Sequence, residues 1–356
     1  MKKVLIGLSG GVDSSVAAYL LKQQGYEVTG VTLKMWSEKL HKGKIDNCPL
    51  DKAIQDAKAV ADKLDIRHNV LNCEEDFENY VVQNFADEYK LGRTPNPCIV
   101  CNKYIKFGFM LRYAEQNGYD YIATGHYAKI QNEGGTYKLL KSKYDSKDQT
   151  YVLYNLTQKQ LAKILMPLGE YSKEQIREIA QREIGLYISE KKDSMEICFI
   201  PDNDHISFIK SFADFEPCGG NFEDTDGNII GNHGGIINFT IGQRKGLGMT
   251  FGKPMFVTKI DADTNTVVLG EKGSEYCDGL YAQGVTFIDE ASVKYPFDAT
   301  CKTRYSAKPA KCTIEKSDDG CKVTFAEPQR AVTPGQSVVF YNGDEVLGGG
   351  IIQSTF

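Results

Sequence analysis

Val4-Leu5-Ile6-Gly7-Leu8-Ser9-Gly10-Gly11-Val12-Asp13-Ser14-Ser15-Val16 is the stretch on which the reading of this chain turns. A short apolar run ends in a Gly/Ser loop, and the loop opens onto Val16 to Leu21, which carries a helical apolar pattern. Strand, loop and helix in that order put the loop at the carboxyl end of a strand, where open α/β sheets bind ligands. Gly10 and Gly11 let backbone N–H groups turn toward an anion. Ser14 and Ser15 add hydroxyls at a helix N-terminus, whose dipole favours negative charge. The chemistry indicated is phosphate binding. The loop lacks the lysine of GxxxxGK[ST], which argues against γ-phosphoryl transfer of that kind, and it lacks GxGxxG, which argues against a dinucleotide. A plain Gly-Ser turn capping a helix competes, and the order of the three elements favours the phosphate site.

Outward from that loop the first half alternates. Val28 to Leu33 is β-branched, and Ile54, Ala57, Ala61 and Leu64 recur at helical spacing. Val70-Leu71 reads as a further strand, Phe77 to Tyr89 and Ile105 to Ala114 as helices, and Tyr121 to Thr124 as a strand ending at Gly125. Capping-box patterns at Thr157 to Gln160 and Ser172 to Gln175 open two more helices. The fold class expected is α/β, a parallel sheet flanked by helices. After Cys198 glycine becomes dense and short β-branched runs take over: Ile236 to Ile241, Phe256 to Ile260, Val267-Val268, Cys312 to Ile314, Val323 to Phe325 and Ser337 to Tyr341. The expected division is residues 1–200, then a small β-rich central domain at 201–272, then a C-terminal β-barrel at 273–356, with the last break near Glu271 to Ser274.

Hydrophobic residues make up 41% and charged residues 25% of the 356, which leaves ample material for a core. The apolar run at the N-terminus is too short for a signal peptide, and no run approaches the length of a membrane span, so a cytoplasmic location without membrane contact is expected. The ten cysteines then read as thiols. A net charge of −5 argues weakly against nucleic acid. Local patterning matters more: Cys301 to Cys312 holds Lys302, Arg304, Lys308 and Lys311 and no acidic residue, whereas residues 273–356 as a whole carry eight basic and eleven acidic residues. Interleaved with Tyr305, this run suits a phosphate backbone and a stacked base, although such a run is more often a solvated face.

Two cysteines stand in a setting that suggests reactivity. Thr94-Pro95-Asn96-Pro97-Cys98-Ile99-Val100-Cys101-Asn102-Lys103 reads as an extended, proline-fixed loop that places Cys101 just ahead of a helix at Tyr104 to Tyr113. A helix N-terminus and Lys103 would both lower the Cys101 pKa. Cys198, in Glu196-Ile197-Cys198-Phe199-Ile200, lies where the α/β half ends. Cys98 and Cys101 have zinc-ligand spacing, but no second CxxC completes a set, so no metal site is assigned. His41, His68 and His205 read as surface or core histidines, Trp36 as packing, and Cys48, Cys73, Cys218, Cys277, Cys312 and Cys321 as inert.

SGGVDSS resembles the signature of the PP-loop ATP pyrophosphatases, with the adenine nucleotide hydrolase-like fold, which pass AMP from ATP to a substrate oxygen. NPCIVCNKYIKF, ATGHYA at 123–128, KDQTYVLY at 147–154, EICFI at 196–200 and TIGQRKGLG at 240–248, with RYSAKPAKC and PGQSVVFY near the end, together resemble the bacterial tRNA-specific 2-thiouridylase family. Several motifs in one order make that resemblance specific, from residue 4 into the last domain. It implies that Gly7, Leu8, Ser9, Gly10, Gly11, Val12, Asp13, Ser14, Leu33 and Gly125 bind ATP. It implies that Cys198 receives sulfur as a persulfide from a donor protein (a cysteine desulfurase or a sulfur relay protein), and that Cys101 is the nucleophile that forms a transient disulfide with it. Asn96, Pro97 and Cys98 would lie against the base, and His126, Lys147, Asp148, Gln149, Arg304, Tyr305 and Gln336 match tRNA-contacting positions.

The implied reaction adenylates the C2 oxygen of the wobble uridine of tRNA, after which sulfur displaces AMP. Mg²⁺ would neutralise the triphosphate, with Asp13 a candidate ligand or loop-ordering residue. The chain departs from the family at Cys98, where many members carry an aspartate suited to acid–base work; a thiol titrates several units higher. Cys98, Cys101 and Cys198 holding an iron–sulfur cluster with one open iron is an alternative. The rival functions are another PP-loop synthetase, which has no use for Cys101 or Cys198, and a non-enzymatic RNA-binding or sulfur-carrier module, which leaves the ATP loop idle.

Overall fold

The computed structural model of the protein describes residues 1–36, 40, 49–185 and 197–356; His41, Cys48 and residues 192–196 lie outside the described residues. The chain divides into two compact units, the first of residues 1–81, 98–199 and 344–347 and the second of residues 82–97, 200–343 and 348–356.

In the first unit the chain runs β1 (Lys3–Gly7), α1 (Val12–Gln23), β2 (Glu27–Lys34), α2 (Pro49–Leu64), β3 (Arg67–Asn72) and the short α3 (Glu74–Phe77). After α4 (Gln83–Lys90), which belongs to the second unit, come α5 (Pro97–Cys101), α6 (Met110–Gln116), β4 (Tyr121–Ala123), the hairpin β5 (Ala128–Glu133) and β6 (Thr136–Lys141), α7 (Gln158–Leu161), β7 (Ile164–Leu165) and α8 (Lys173–Glu183). The sheet has the order β3-β2-β1-β4-β7, and its pairings are parallel. Val4 and Ile6 on β1 are fully buried, as are Val16, Ala17 and Ala18 on α1 and Ala57 and Ala61 on α2. Small side chains on α1 and α2 let those helices lie close to the sheet, and full burial of each of the larger apolar side chains contributes roughly 1.5–3 kcal/mol.

Two of the expected helices take a different form. The helix expected at Phe77 to Tyr89 is interrupted by a π-helical turn at Glu78–Val82, and the helix expected at Ile105 to Ala114 is π-helical over Asn102–Phe109. The β5–β6 hairpin has no counterpart among the expected elements, although Gly134 and Gly135, with φ of +61° and +98°, are the residues that such a turn requires.

The second unit holds α9 (His205–Phe212) and a four-stranded sheet, β10-β11-β8-β9, built from β8 (Gly220–Glu223), β9 (Ile229–His233), β10 (Phe256–Asp261) and β11 (Thr266–Gly270). Phe222, Val257, Val267 and Leu269 fill its core. Ile236 to Ile241, expected as a strand, contributes a 3-10 turn at Ile236–Asn238 whose two isoleucines are buried in that core. Six strands follow: β12 (Tyr276–Phe287), β13 (Phe297–Lys302), β14 (Ala310–Ser317), β15 (Gly320–Arg330), β16 (Ser337–Asn342) and β17 (Glu345–Thr355). They pair in the order β12-β15-β14-β13-β16-β17, and β17 pairs back onto β12, closing a barrel without free edges. No helix among the described residues is long and apolar enough to cross a membrane.

Candidate active site

The loop between β1 and α1 is fixed by its own backbone. Gly10 has φ +70°, and a Cβ there would stand 2.5 Å from the Asp56 Cβ, so only glycine fits. The Gly11 carbonyl accepts the hydroxyls of Ser14 at 3.1 Å and Ser15 at 2.8 Å, while Ser14 Oγ takes the Ser9 N–H at 3.2 Å. No side chain caps α1, so the N–H groups of its first turn remain available to an anion. Gly7 ends β1, Leu33 lies near the end of β2, and Gly125 follows β4, so the expected nucleotide-binding residues meet at the carboxyl ends of three neighbouring strands. A Cβ on Gly125 would come within 2.9 Å of the Ser14 nitrogen, which fixes glycine where β4 meets the helix N-terminus.

Asp13 is committed inside the protein. Its Oδ1 accepts the Tyr127 hydroxyl at 2.7 Å, and Lys173 Nζ donates to Oδ1 at 2.9 Å and Oδ2 at 2.8 Å. Lys173 is 7% exposed and stands in the first turn of α8, whose Ser172–Gln175 capping box is formed. Neither Lys173 nor Tyr127 is among the site residues expected from the sequence, although Tyr127 lies within ATGHYA. The available signal is a lysine at a helix N-terminus, where the dipole disfavours a cation unless a carboxylate faces it.

Gln149 in turn holds Tyr127: its side-chain oxygen accepts the Tyr127 N–H at 2.9 Å, and its own backbone N–H reaches the Tyr127 carbonyl at 3.0 Å. Asp148 is buried and accepts the Thr150 hydroxyl at 2.6 Å and the Ser142 N–H at 3.2 Å. Lys147 ends the 3-10 turn Asp145–Lys147 just ahead of them. His126, a further residue expected at the tRNA, is 8% exposed, 2.8 Å from Thr124 Oγ1 and tilted against the Phe107 ring. Burial pushes its pKa well below the usual histidine range, so it is a neutral imidazole.

The cysteine segment differs from its expected form. Helix α5 starts at Pro97, a favoured first helical position, so Cys98 and Cys101 occupy the helix itself rather than a loop before it. Cys98 is exposed and Cys101 buried, with Cys101 Sγ 4.0 Å from Met35 Sδ just past β2. Trp36 packs on Phe77 at 5.6 Å, and Phe77 packs edge-on against Phe199 at 5.5 Å, which anchors the residue after Cys198 in the same unit.

The Cys101 pKa moves opposite to the expected lowering. Burial pushes the thiol up to about 11, against a smaller opposing pull from Lys106. Cys198 is exposed as a residue, yet packing around its sulfur, then Cys101 and Cys98, push its thiol up to about 12. Burial and then Cys101 push Cys73 up to about 12. Cys98, Cys101 and Cys198 thus lie within electrostatic reach of one another, and Cys73 of Cys101. Among the described residues no group of three or more His, Cys, Asp or Glu could hold a metal ion, so the cluster alternative has no preformed ligand set. Asp13, bound to Lys173 and Tyr127, does not fit the role of a free Mg²⁺ ligand.

In the second unit Gln336 donates its side-chain amide to the carbonyls of Thr94 at 2.8 Å and Pro95 at 3.3 Å. It clamps the backbone immediately before Asn96, Pro97 and Cys98. Between β13 and β14, Arg304 and Tyr305 are exposed, and Lys302 Nζ lies 5.6 Å from the Tyr305 ring centre.

Residues 2–202 match the family described as the tRNA methyl transferase HUP domain, residues 206–271 the tRNA methyl transferase PRC-barrel domain, and residues 277–352 the aminomethyltransferase beta-barrel domain. The chain is similar to proteins named tRNA-specific 2-thiouridylase MnmA from Clostridium perfringens, at 54% identity over 99% of both chains, and from Clostridioides difficile, at 52% over 99% of both. A relative of the same name from Acetivibrio thermocellus is 53% identical, again over 99% of each chain. The domain descriptions speak of methyl transfer; these relatives, matched end to end, are named for thiolation.

Proposed function

The chain belongs to the tRNA-specific 2-thiouridylase family, and from that premise we propose the course of its reaction. It is a tRNA-uridine 2-sulfurtransferase that uses ATP. In the proposed course the target is the wobble uridine, unstacked from the anticodon loop to reach a buried thiol. Its C2 oxygen, a poor leaving group, takes AMP from ATP and releases pyrophosphate. The backbone N–H groups of Gly10, Gly11 and the first turn of α1 hold the phosphates, and Lys173 with Tyr127 keeps Asp13 and hence the loop in place. Mg²⁺ would arrive with the nucleotide and neutralise its charge.

Sulfur enters as a persulfide on Cys198, delivered by a cysteine desulfurase or a relay protein. The outer sulfur attacks C2, and AMP departs. Cys101 attacks the Cys198 sulfur, the S–S bond to the transferred sulfur breaks, 2-thiouridine is released, and a Cys101–Cys198 disulfide remains for a dithiol reductant to reopen. Residues 1–200 carry this chemistry in our assignment, and residues 273–356, through Arg304 and Tyr305, grip the tRNA. The location proposed is the cytoplasm.

The observation that carries this reading is the contact of Cys101 Sγ with Met35 Sδ at 4.0 Å, because Met35 lies two residues beyond Leu33 at the nucleotide end of β2. The test supplies the protein with tRNA, ATP and a persulfide source, then maps thiolated nucleosides by mass spectrometry. The expected result is 2-thiouridine at the wobble position with AMP and pyrophosphate formed only when tRNA is present. Thiolation elsewhere, or ADP as product, overturns it.

A further inference from the structure

Tyr80 and Tyr104 lie in different parts of the first unit, yet their rings stack face to face, 4.6 Å between centres and 5° from parallel. Both are open to solvent, Tyr80 at 46% and Tyr104 at 37%. Each emerges from a π-helical turn, Glu78–Val82 and Asn102–Phe109. Such turns interrupt a helix at a cost and recur at functional sites. Tyr104 is three residues past Cys101, where α5 runs on into the π-helical turn. The stack therefore belongs to the same helical segment as the thiol.

The charge around it is lopsided. Lys103 Nζ lies 5.2 Å from the Tyr104 ring centre, and Lys103, Lys106 and Arg112 are the basic residues of the 97–116 stretch, against one acidic residue, Glu115. On the Tyr80 side Glu74, Glu75, Asp76 and Glu78 closely precede the ring in sequence, Glu74 being paired with Lys34 at 2.9 Å. The pair covers one face of each ring, Lys103 Nζ stands over the Tyr104 ring, and Tyr80 and Tyr104 keep 46% and 37% of their surface exposed. Exposed ring surface is what an unpaired base seeks, while the lysine suits its phosphate and the acidic side repels it.

We propose that Tyr80 and Tyr104 form a stacking platform for an unpaired tRNA base that neighbours the target uridine, with its phosphate on the Lys103 side. The platform receives the adjacent base once the uridine is extruded and so holds the loop open during sulfur transfer. This rests on the anticodon as the proposed target.

The test uses the full chain with an anticodon stem-loop RNA carrying 2-aminopurine on the 5′ or 3′ side of the target uridine. Wild-type protein should quench one of the two probes on binding. Tyr104→Ala should abolish that quenching and raise the KM for tRNA by about 5- to 150-fold, the range that base–aromatic stacking gives, with the salt dependence of binding unchanged. Tyr104→Phe should restore both, because the π-face and not the hydroxyl is used, and Tyr80→Ala should act in the same direction as Tyr104→Ala. Unquenched probes with wild-type protein, a Tyr104→Ala KM equal to wild type, or a loss confined to kcat each overturn the proposal. Wild-type thiolation outside the anticodon would instead overturn the reading beneath it, and nucleoside mapping of the same samples separates the two failures.

Discussion

Lys173 Nζ stands 2.8 Å from Asp13 Oδ2 although 160 residues separate them, and the Tyr127 hydroxyl completes the set at 2.7 Å. The loop between β1 and α1 is thereby tied to the first turn of α8. Lys173 is 7% exposed, and both oxygens of the Asp13 carboxylate accept from its ammonium. Asp13→Asn removes the charge that faces Lys173 and, because Asp13 itself is 31% exposed, is expected to cost about 1–2 kcal/mol rather than the larger figure of a fully buried pair. Urea unfolding would show it as a lowered midpoint at unchanged slope. Lys173→Met should cost less, because Asp13 keeps the Tyr127 bond, yet should weaken ATP binding at least about tenfold; isothermal titration checks this.

The sulfur chemistry makes its own demand. Cys101→Ser and Cys198→Ser are each expected to bind ATP and tRNA as wild type does while forming no 2-thiouridine. Turnover above about one per cent of wild type in either variant would remove that thiol from the mechanism.

Burial of Cys101 fixes a pH dependence. Its thiol is pushed up to about 11 from 9.0, so at neutral pH it is the protonated form that the fold holds. Alkylation should accelerate about tenfold per pH unit and level off only near pH 11, where a solvent-exposed thiol levels off near 9. Linkage gives the sign for stability: a group with a raised folded pKa stabilises the fold below its unfolded pKa, and that contribution fades as pH climbs from about 9 to about 11. Peptide-resolved iodoacetamide labelling reads the profile, and a midpoint below 9 would contradict it.

Gln336 reaches the Thr94 and Pro95 carbonyls from the barrel's own unit. Gln336→Ala removes about 1 kcal/mol of hydrogen bonding and frees the backbone ahead of Cys98. A several-fold loss of kcat with ATP affinity intact is the expected outcome. An unchanged kcat would show that the segment is held without it.

Charge reversal at Lys302 and Arg304 should weaken tRNA binding and lower the slope of log affinity against log salt by roughly 0.9 for each phosphate no longer neutralised. Filter binding across a salt series measures this directly, and an identical slope would return the β13–β14 loop to an ordinary solvated face.

The strand–loop–helix at the N-terminus is legible in the sequence because its signals are local. Gly10 is required by its own φ and by the nearby Asp56, and the alternation of β-branched and helical segments follows from short-range periodicity. The capping boxes at Thr157 and Ser172 form for the same reason. Where local cues are weak or contradictory, structure and expectation part. Pro97 suits an extended loop, yet its ring serves equally at the first turn of a helix, and packing of the following Ile99, Cys101 and Ile105 selects the helix.

The residue order by itself determined the strand, glycine-bearing loop and helix at the N-terminus, the parallel α/β architecture, the change to β structure after Cys198 and the family. Only tertiary structure decided what each charged or nucleophilic group meets. It turned Asp13 from a candidate metal ligand into the partner of Lys173, reversed the sign of the Cys101 pKa shift, made His126 a buried neutral ring, and stacked Tyr80 on Tyr104. The physical reason is common to all four. Desolvation and electrostatic partnership depend on neighbours distant in sequence, and no spacing along the chain records which neighbour arrives.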